Sequence, residues 1–188
     1  MSLYGLIIIA CGLAMVNFSM AFLSSFYRCQ DVPGAMKIGL IQATFQAGLY
    51  ALGWLLAIPF QRWLVDMTWP LAIFIMVMLG LKMLLLSRKA RPPEKAFDLG
   101  QLRILIGVAF ASGINGFIIG MATGLVSTDL YPAILIIALA SFALSVMGVV
   151  AGKVSGNIKF GQVSEALGGF LIIFTAVILL LEFTGIIL

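Results

Sequence analysis

The sequence predicts an all-α integral membrane protein of six transmembrane helices, arranged as two inverted three-helix repeats with both termini extracytoplasmic. Three observations carry that prediction. Of 188 residues, 63% are hydrophobic and 10% are charged, far from the balance of a soluble domain. The charges cut the chain into six apolar lengths, each near the ~20 residues that cross a bilayer. Basic residues collect in alternate loops, which fixes the side of the membrane each loop occupies. A chain this apolar could not hide its side chains in a water-soluble core, so its solvent is lipid. The net charge of +4 therefore speaks of topology and not of nucleic acid.

Nothing charged precedes Arg28, which gives a first helix over about Leu3–Tyr27. It lacks a basic leader and a small-residue cleavage site, so it reads as a retained helix and not a signal peptide. The second runs between Lys37 and Arg62, about Ile38–Phe60, and the third over about Met67–Ser87 with Lys82 inside it. After the polar stretch SRKARPPEKAFD (Ser87–Asp98) come helices over about Gln101–Ser127 and Tyr131–Lys153. The last runs from about Ser164 to the end, with Glu165 and Glu182 near its edges. Pro59, Pro70, Pro92, Pro93 and Pro132 are all expected at boundaries, where a missing amide hydrogen costs least. Cys11 and Cys29, eighteen residues apart on one helix, would lie about 27 Å from each other, too far for a disulfide.

The first, third and fifth loops carry Arg28, Lys37, Arg88, Lys89, Arg91, Lys95, Arg103, Lys153 and Lys159; the second carries Arg62 alone. The fourth loop and both tails carry none. Odd loops are thus cytoplasmic and both termini outside. The expected organisation is a first repeat over residues 1–87, a basic cytoplasmic linker over 88–100 and a second repeat over 101–188. Three is odd, so the two triplets point in opposite directions. A faint internal similarity agrees: AMVNFSM (Ala14–Met20) resembles GINGFII (Gly113–Ile119), and ALGWLLA (Ala51–Ala57) resembles VMGVVAG (Val146–Gly152). Inverted repeats frame the midplane sites of many secondary transporters. Gly116, Gly120 and Gly124, like Gly148, Gly152 and Gly156, recur every four residues, a small face that lets helices approach closely.

Polar residues fall at mid-span. Asn17 and Asn115 lie one in each half; Gln42, Thr44 and Gln46 sit in the second helix, Ser141 and Ser145 in the fifth. An amide in hydrocarbon is costly unless hydrogen-bonded, so these should face the bundle interior. They could line a substrate pathway or simply bond helix to helix. Absence matters as much: no Asp or Glu lies centrally in any span, and the chain has no His. A divalent ion would exchange its water for neutral oxygens and thioethers such as those of Met15 and Met20, which are weak ligands for it. The interior suits a neutral or weakly charged solute, or none. Lys82 is either snorkelling to the interface or paired with Glu165. Trp54, Trp63 and Trp69 read as interface belts.

Several segments together resemble a known family: GLAMVNFSM (Gly12–Met20), KIGLIQATFQAGLYALGW (Lys37–Trp54), LGLKMLL (Leu79–Leu85), ASGINGFIIG (Ala111–Gly120), SVMGVVAGKVSG (Ser145–Gly156) and SEALGG (Ser164–Gly169). Their order and spacing are similar to those of MntP-type manganese efflux pumps, six-helix proteins grouped with the LysE exporter superfamily. The resemblance runs nearly end to end. It implies the six-helix fold, an efflux transporter of a prokaryotic cytoplasmic membrane, and acidic metal-binding residues at three midmembrane positions. Those positions fall on Val16, Gln46 and Asn115, none of them acidic. Asn17 is rotated about 100° from Val16 and is no simple substitute.

Two readings follow. One is a small secondary transporter with a neutralised centre, in which Asn17, Gln46, Asn115, Ser141 and Ser145 contact a small cation or neutral solute. The other is a transport-inactive accessory or structural subunit, in a homo-oligomer or larger membrane complex. No cofactor is expected. With no His, no paired carboxylate and no nucleophile–base pair, the chain is not expected to be an enzyme.

Overall fold

A computed structural model describes residues 3–27, 31–63, 67–88, 98–126, 128–154 and 159–184, the side chains of 26, 27, 62 and 159 excepted. All regular structure in these residues is α-helical: α1 (Leu3–Tyr27), α2 (Val32–Trp63), α3 (Thr68–Ser87), α4 (Leu102–Leu125), α5 (Leu130–Val154) and α6 (Lys159–Phe183). Each is long and apolar enough to cross a membrane. The expected linker, residues 88–100, has 89–97 outside the described residues, as are Cys29 and several of the basic residues used to orient the chain. Cys11 is a free thiol.

Helix boundaries differ from the sequence expectation where a helix outlasts its apolar stretch. α2 begins six residues before Ile38, takes in Lys37 and continues through Pro59 to Trp63. Its 32 residues span about 48 Å, well beyond a hydrocarbon core of about 30 Å, so its ends reach the headgroup layers. Pro59 thus lies inside a helix and not at its edge. α6 begins at Lys159, so Glu165 sits in the second turn and not the first. In both cases hydropathy marks the lipid-facing stretch, whereas the hydrogen-bond ladder carries on into the interface.

The core is apolar, as at Ile9, Leu13, Met76, Ile119, Ile137 and Ile172, but so is the perimeter, unlike that of a soluble protein. Large apolar side chains such as Leu40, Phe74, Leu135, Leu139, Phe170 and Phe174 are exposed around the perimeter. Amides and hydroxyls are buried, Asn17, Gln42, Gln46, Ser141 and Ser145 all at 0% exposure. α1 is the innermost helix; among its described side chains, large apolar groups are exposed only at Leu3, Tyr4 and Ile7.

Neighbours in space are mostly not neighbours in sequence. α2 packs along α4 and α5, α1 along α5 and α6, and α3 along α6 and, less closely, α4. Glycines make the tightest of these contacts. A Cβ on Gly120 would run into the Tyr50 carbonyl, and one on Gly53 into that of Phe117. On Gly148 it would lie 2.6 Å from the Phe18 carbonyl oxygen. Backbone touches backbone at these points, which only glycine permits.

Candidate functional site

The mid-span polar groups divide into two sets. Asn115, on α4, is half-buried and opens on a cavity of about 180 Å³ lined also by Val16, Met20, Lys82, Met83, Ser112 and Glu165. Two of the three expected metal positions, Val16 and Asn115, thus share one cavity. Lys82 Nζ donates to Asn115 Oδ1 at 3.4 Å, a long bond by ordinary geometry. Glu165, 5% exposed, lines the same space from α6. Ser112 Oγ is turned back onto the Ala109 carbonyl at 3.1 Å.

Asn17, Gln46, Ser141 and Ser145 form the second set, fully buried and not among that cavity's lining residues. Gln46 lies against Gly116, its Nε2 3.0 Å from where a Cβ would stand there, and Gly116 adjoins Asn115 in the chain. Ser145 Oγ donates to the Ser141 carbonyl at 2.6 Å. The others have no such bond. Asn17, Gln42 and Gln46 leave both amide atoms, and Ser141 its hydroxyl, without a hydrogen-bond partner among the described residues. Each such group costs about 1–3 kcal/mol if nothing meets it. Unsatisfied buried polar groups are rare in native proteins and ask for an explanation.

Two expectations are corrected here. Thr44 does not face the interior: it is exposed, and its Oγ1 donates to the Leu40 carbonyl at 2.8 Å. That local bond removes the penalty that would have driven it inward. Trp54 is not simply a belt residue, because its Nε1 donates to the Thr128 carbonyl at 2.9 Å. It tethers α2 to the chain entering α5.

Trp54 belongs to a set that sequence reasoning missed. Tyr50 Oη and Thr123 Oγ1 are 2.8 Å apart in a fully buried contact between α2 and α4. Two turns beyond Trp54, Gln61 Nε2 donates to the Gly124 carbonyl. A second cavity, about 640 Å³, opens beside these groups and is lined by Trp54, Gln61, Thr128 and Asp129. The available signal was Tyr50 itself, a phenol in the middle of an apolar helix, where a buried hydroxyl needs a partner.

As to metal, no cluster of three or more His, Cys, Asp or Glu side chains is found among the described residues. The donors at the centre are amides, hydroxyls and thioethers, with Glu165 the one carboxylate among the residues lining the cavity; the set is acceptable to a weakly held cation and poor for a divalent one.

Six apolar helices with an apolar perimeter and buried amides and hydroxyls define a multi-pass membrane protein. The family described as "Putative manganese efflux pump" matches residues 30–180. A "Putative manganese efflux pump MntP" of Mannheimia succiniciproducens is 30% identical over 98% of both chains. Another, of Methanothermobacter thermautotrophicus, is 32% identical over 97% of each. A third, of Acetivibrio thermocellus, is 28% identical over 100% of this chain and 94% of its own. The chain belongs to this MntP family. No solved structure gives a significant match.

Proposed function

We propose that the protein is a small exporter of the cytoplasmic membrane, of MntP architecture, whose centre handles its cargo through neutral hydrogen-bonding groups. The observation that carries this reading is the set of buried groups with unmet capacity, Asn17, Gln42, Gln46 and Ser141. A scaffold that only needed packing would gain by replacing them with apolar side chains. Both donors and acceptors are left over, three amides' worth of each and the hydroxyls of Ser19, Ser25 and Ser141. A bare metal ion would satisfy the oxygens alone, whereas water or a small polar solute satisfies both. The cargo is accordingly a neutral or weakly charged solute, with Asn115 and the Lys82 side of the cavity as its point of entry.

Residues 1–87 and 101–188 act as inverted repeats about this centre, with 88–100 as a cytoplasmic linker and both termini outside. Helix contacts support the repeat. Exchanging α1, α2 and α3 for α4, α5 and α6 carries α1–α5 onto α4–α2, and α1–α6 onto α4–α3, all packed pairs. Gly53 meets the Phe117 carbonyl and Gly148 that of Phe18, which are equivalent positions in the internal similarity.

The test is flux into proteoliposomes. Wild-type protein is expected to pass a small polar solute from a panel of polyols, amides and amino acids, and to leave manganese behind. Restoring carboxylates with Val16→Asp, Gln46→Glu and Asn115→Asp together should confer manganese flux. Wild-type protein moving manganese as fast as the restored variant would overturn the neutral-centre reading. The second reading, an accessory subunit with no transport, is favoured by the full burial of Asn17, Gln46 and Ser141. It predicts no flux of any solute and a stoichiometric membrane partner on purification.

A further inference from the structure

The proposed repeats would be related by symmetry, but the tight glycine contacts are not distributed symmetrically, and that asymmetry bears on how the centre could open. α2 and α4 are joined by backbone approach along much of their length. Gly53 lies on Phe117, Gly116 on Gln46, Gly120 on Tyr50 and Gly124 on Trp54. Tyr50–Thr123 and Gln61–Gly124 hydrogen bonds bolt the same pair. A second set of glycines links the other four helices in a chain. Gly148 and Gly152 seat α5 on α1 at the Phe18 and Phe22 carbonyls, at 2.6 and 2.5 Å from a Cβ. Gly168 seats α6 on α1 at the Gly12 carbonyl, 2.6 Å away, and Gly169 seats α6 on α3 at that of Gly80, 2.8 Å away.

The seams between these two groups are made differently. Between α2 and α5, a Cβ on Gly39 meets Val146 and Phe142 side-chain atoms at 2.9 and 3.1 Å and the Phe142 carbonyl oxygen at 3.2 Å, a looser backbone approach than at Gly53, Gly120, Gly148 or Gly152. One turn along from Gly39 lies Gln42, buried with both amide atoms unpartnered. Between α3 and α4 lies the 180 Å³ cavity, bridged by the long Lys82–Asn115 bond. Seams of this kind part at low cost, because water entering them satisfies groups that are unsatisfied when closed. Parting backbone-packed helices forfeits close contacts with no such return.

We propose that the protein moves as two bodies that cut across its repeats: α2 with α4, against α1, α3, α5 and α6. The α3–α4 seam, the small α1–α4 contact and the α2–α5 seam away from the Trp54–Thr128 tether open; the α2–α4 and α1–α5 contacts stay shut. As a motion serving transport this rests on the function proposed above, but the motion itself is measured without any cargo. It differs from rocking of one repeat against the other, the commoner scheme for such folds.

The experiment uses full-length protein with Cys11→Ser and Cys29→Ser, spin-labelled in pairs at four exposed positions, Tyr4, Phe60, Leu102 and Val154. These are 79, 52, 48 and 85% exposed. Phe60–Leu102 lies within one body and Tyr4–Val154 within the other; Phe60–Val154 and Tyr4–Leu102 span the two. Distance distributions are compared in detergent, in lipid nanodiscs, and in nanodiscs with zinc as a diamagnetic divalent probe. The within-body pairs should stay narrow and unshifted throughout, while the spanning pairs broaden, split or shift. Movement of the Phe60–Leu102 or Tyr4–Val154 pair would overturn the proposal. So would four narrow, unmoved distances in every condition. Because no solute flux is measured, the four distances decide the two-body motion even for a protein that fails every transport assay.

Discussion

Gly120→Ala isolates the energetic weight of the α2–α4 contact. The added Cβ would collide with the Tyr50 carbonyl oxygen, and would lie 2.9 Å from its carbon and 3.1 Å from the Trp54 nitrogen. All three are backbone atoms, so relief requires α2 to move away from α4. Overpacking of this kind costs about 1–3 kcal/mol. Separation also lengthens the adjacent Tyr50–Thr123 hydrogen bond, whose net worth is about 1 kcal/mol. Against these stands a helix-propensity gain of about 1 kcal/mol for Gly→Ala. The balance is a loss of about 1–3 kcal/mol. Gly107→Ala is the control, since nothing lies within 4 Å of a Cβ there; it should be neutral or slightly stabilising. Unfolding in mixed micelles with increasing dodecyl sulfate, followed by tryptophan fluorescence, reads both. Equal midpoints for Gly120→Ala and Gly107→Ala would refute the backbone-contact argument.

Three further outcomes are expected. Tyr50→Phe should cost about 1 kcal/mol in the same unfolding assay, and no more, because Thr123 Oγ1 keeps the Ile119 carbonyl at 2.9 Å; an unchanged midpoint would mean that the bond carries nothing. Asn17→Leu, which removes a buried amide without a partner, should leave stability equal or raised while abolishing solute flux. A marked loss of stability would show Asn17 to be structural. Lys82→Gln and Glu165→Gln, combined in a double-mutant cycle, should show coupling of about 1 kcal/mol if the two groups that line the cavity interact across it. Additive effects would dissolve that pair.

Much of the fold is legible in the chain because lipid acts on residues one at a time. The limits of α1 coincide with the uncharged run before Arg28, and α3 and α5 differ from expectation by a residue at each redefined end. Family membership was legible for a related reason: motifs such as LGLKMLL and SEALGG keep their order whatever their contacts. The centre was read less fully. Asn17, Gln46, Ser141 and Ser145 are interior, as their chemistry demands. Thr44, equally polar, turned outward because a hydroxyl can bond its own helix, an escape closed to a longer amide.

What the sequence alone determined is the number of spans and their apolar perimeter, both set by transfer of side chains between water and hydrocarbon. Tertiary structure decided which helices are partners and how each is rotated about its axis. It made Gly120 a point of backbone contact while Gly48 and Gly107 face open space, and it placed Asn115 against Lys82. Hydropathy does not distinguish these glycines or these rotations, because lipid is as apolar as the leucines it replaces. Only shape and hydrogen bonding between helices can choose.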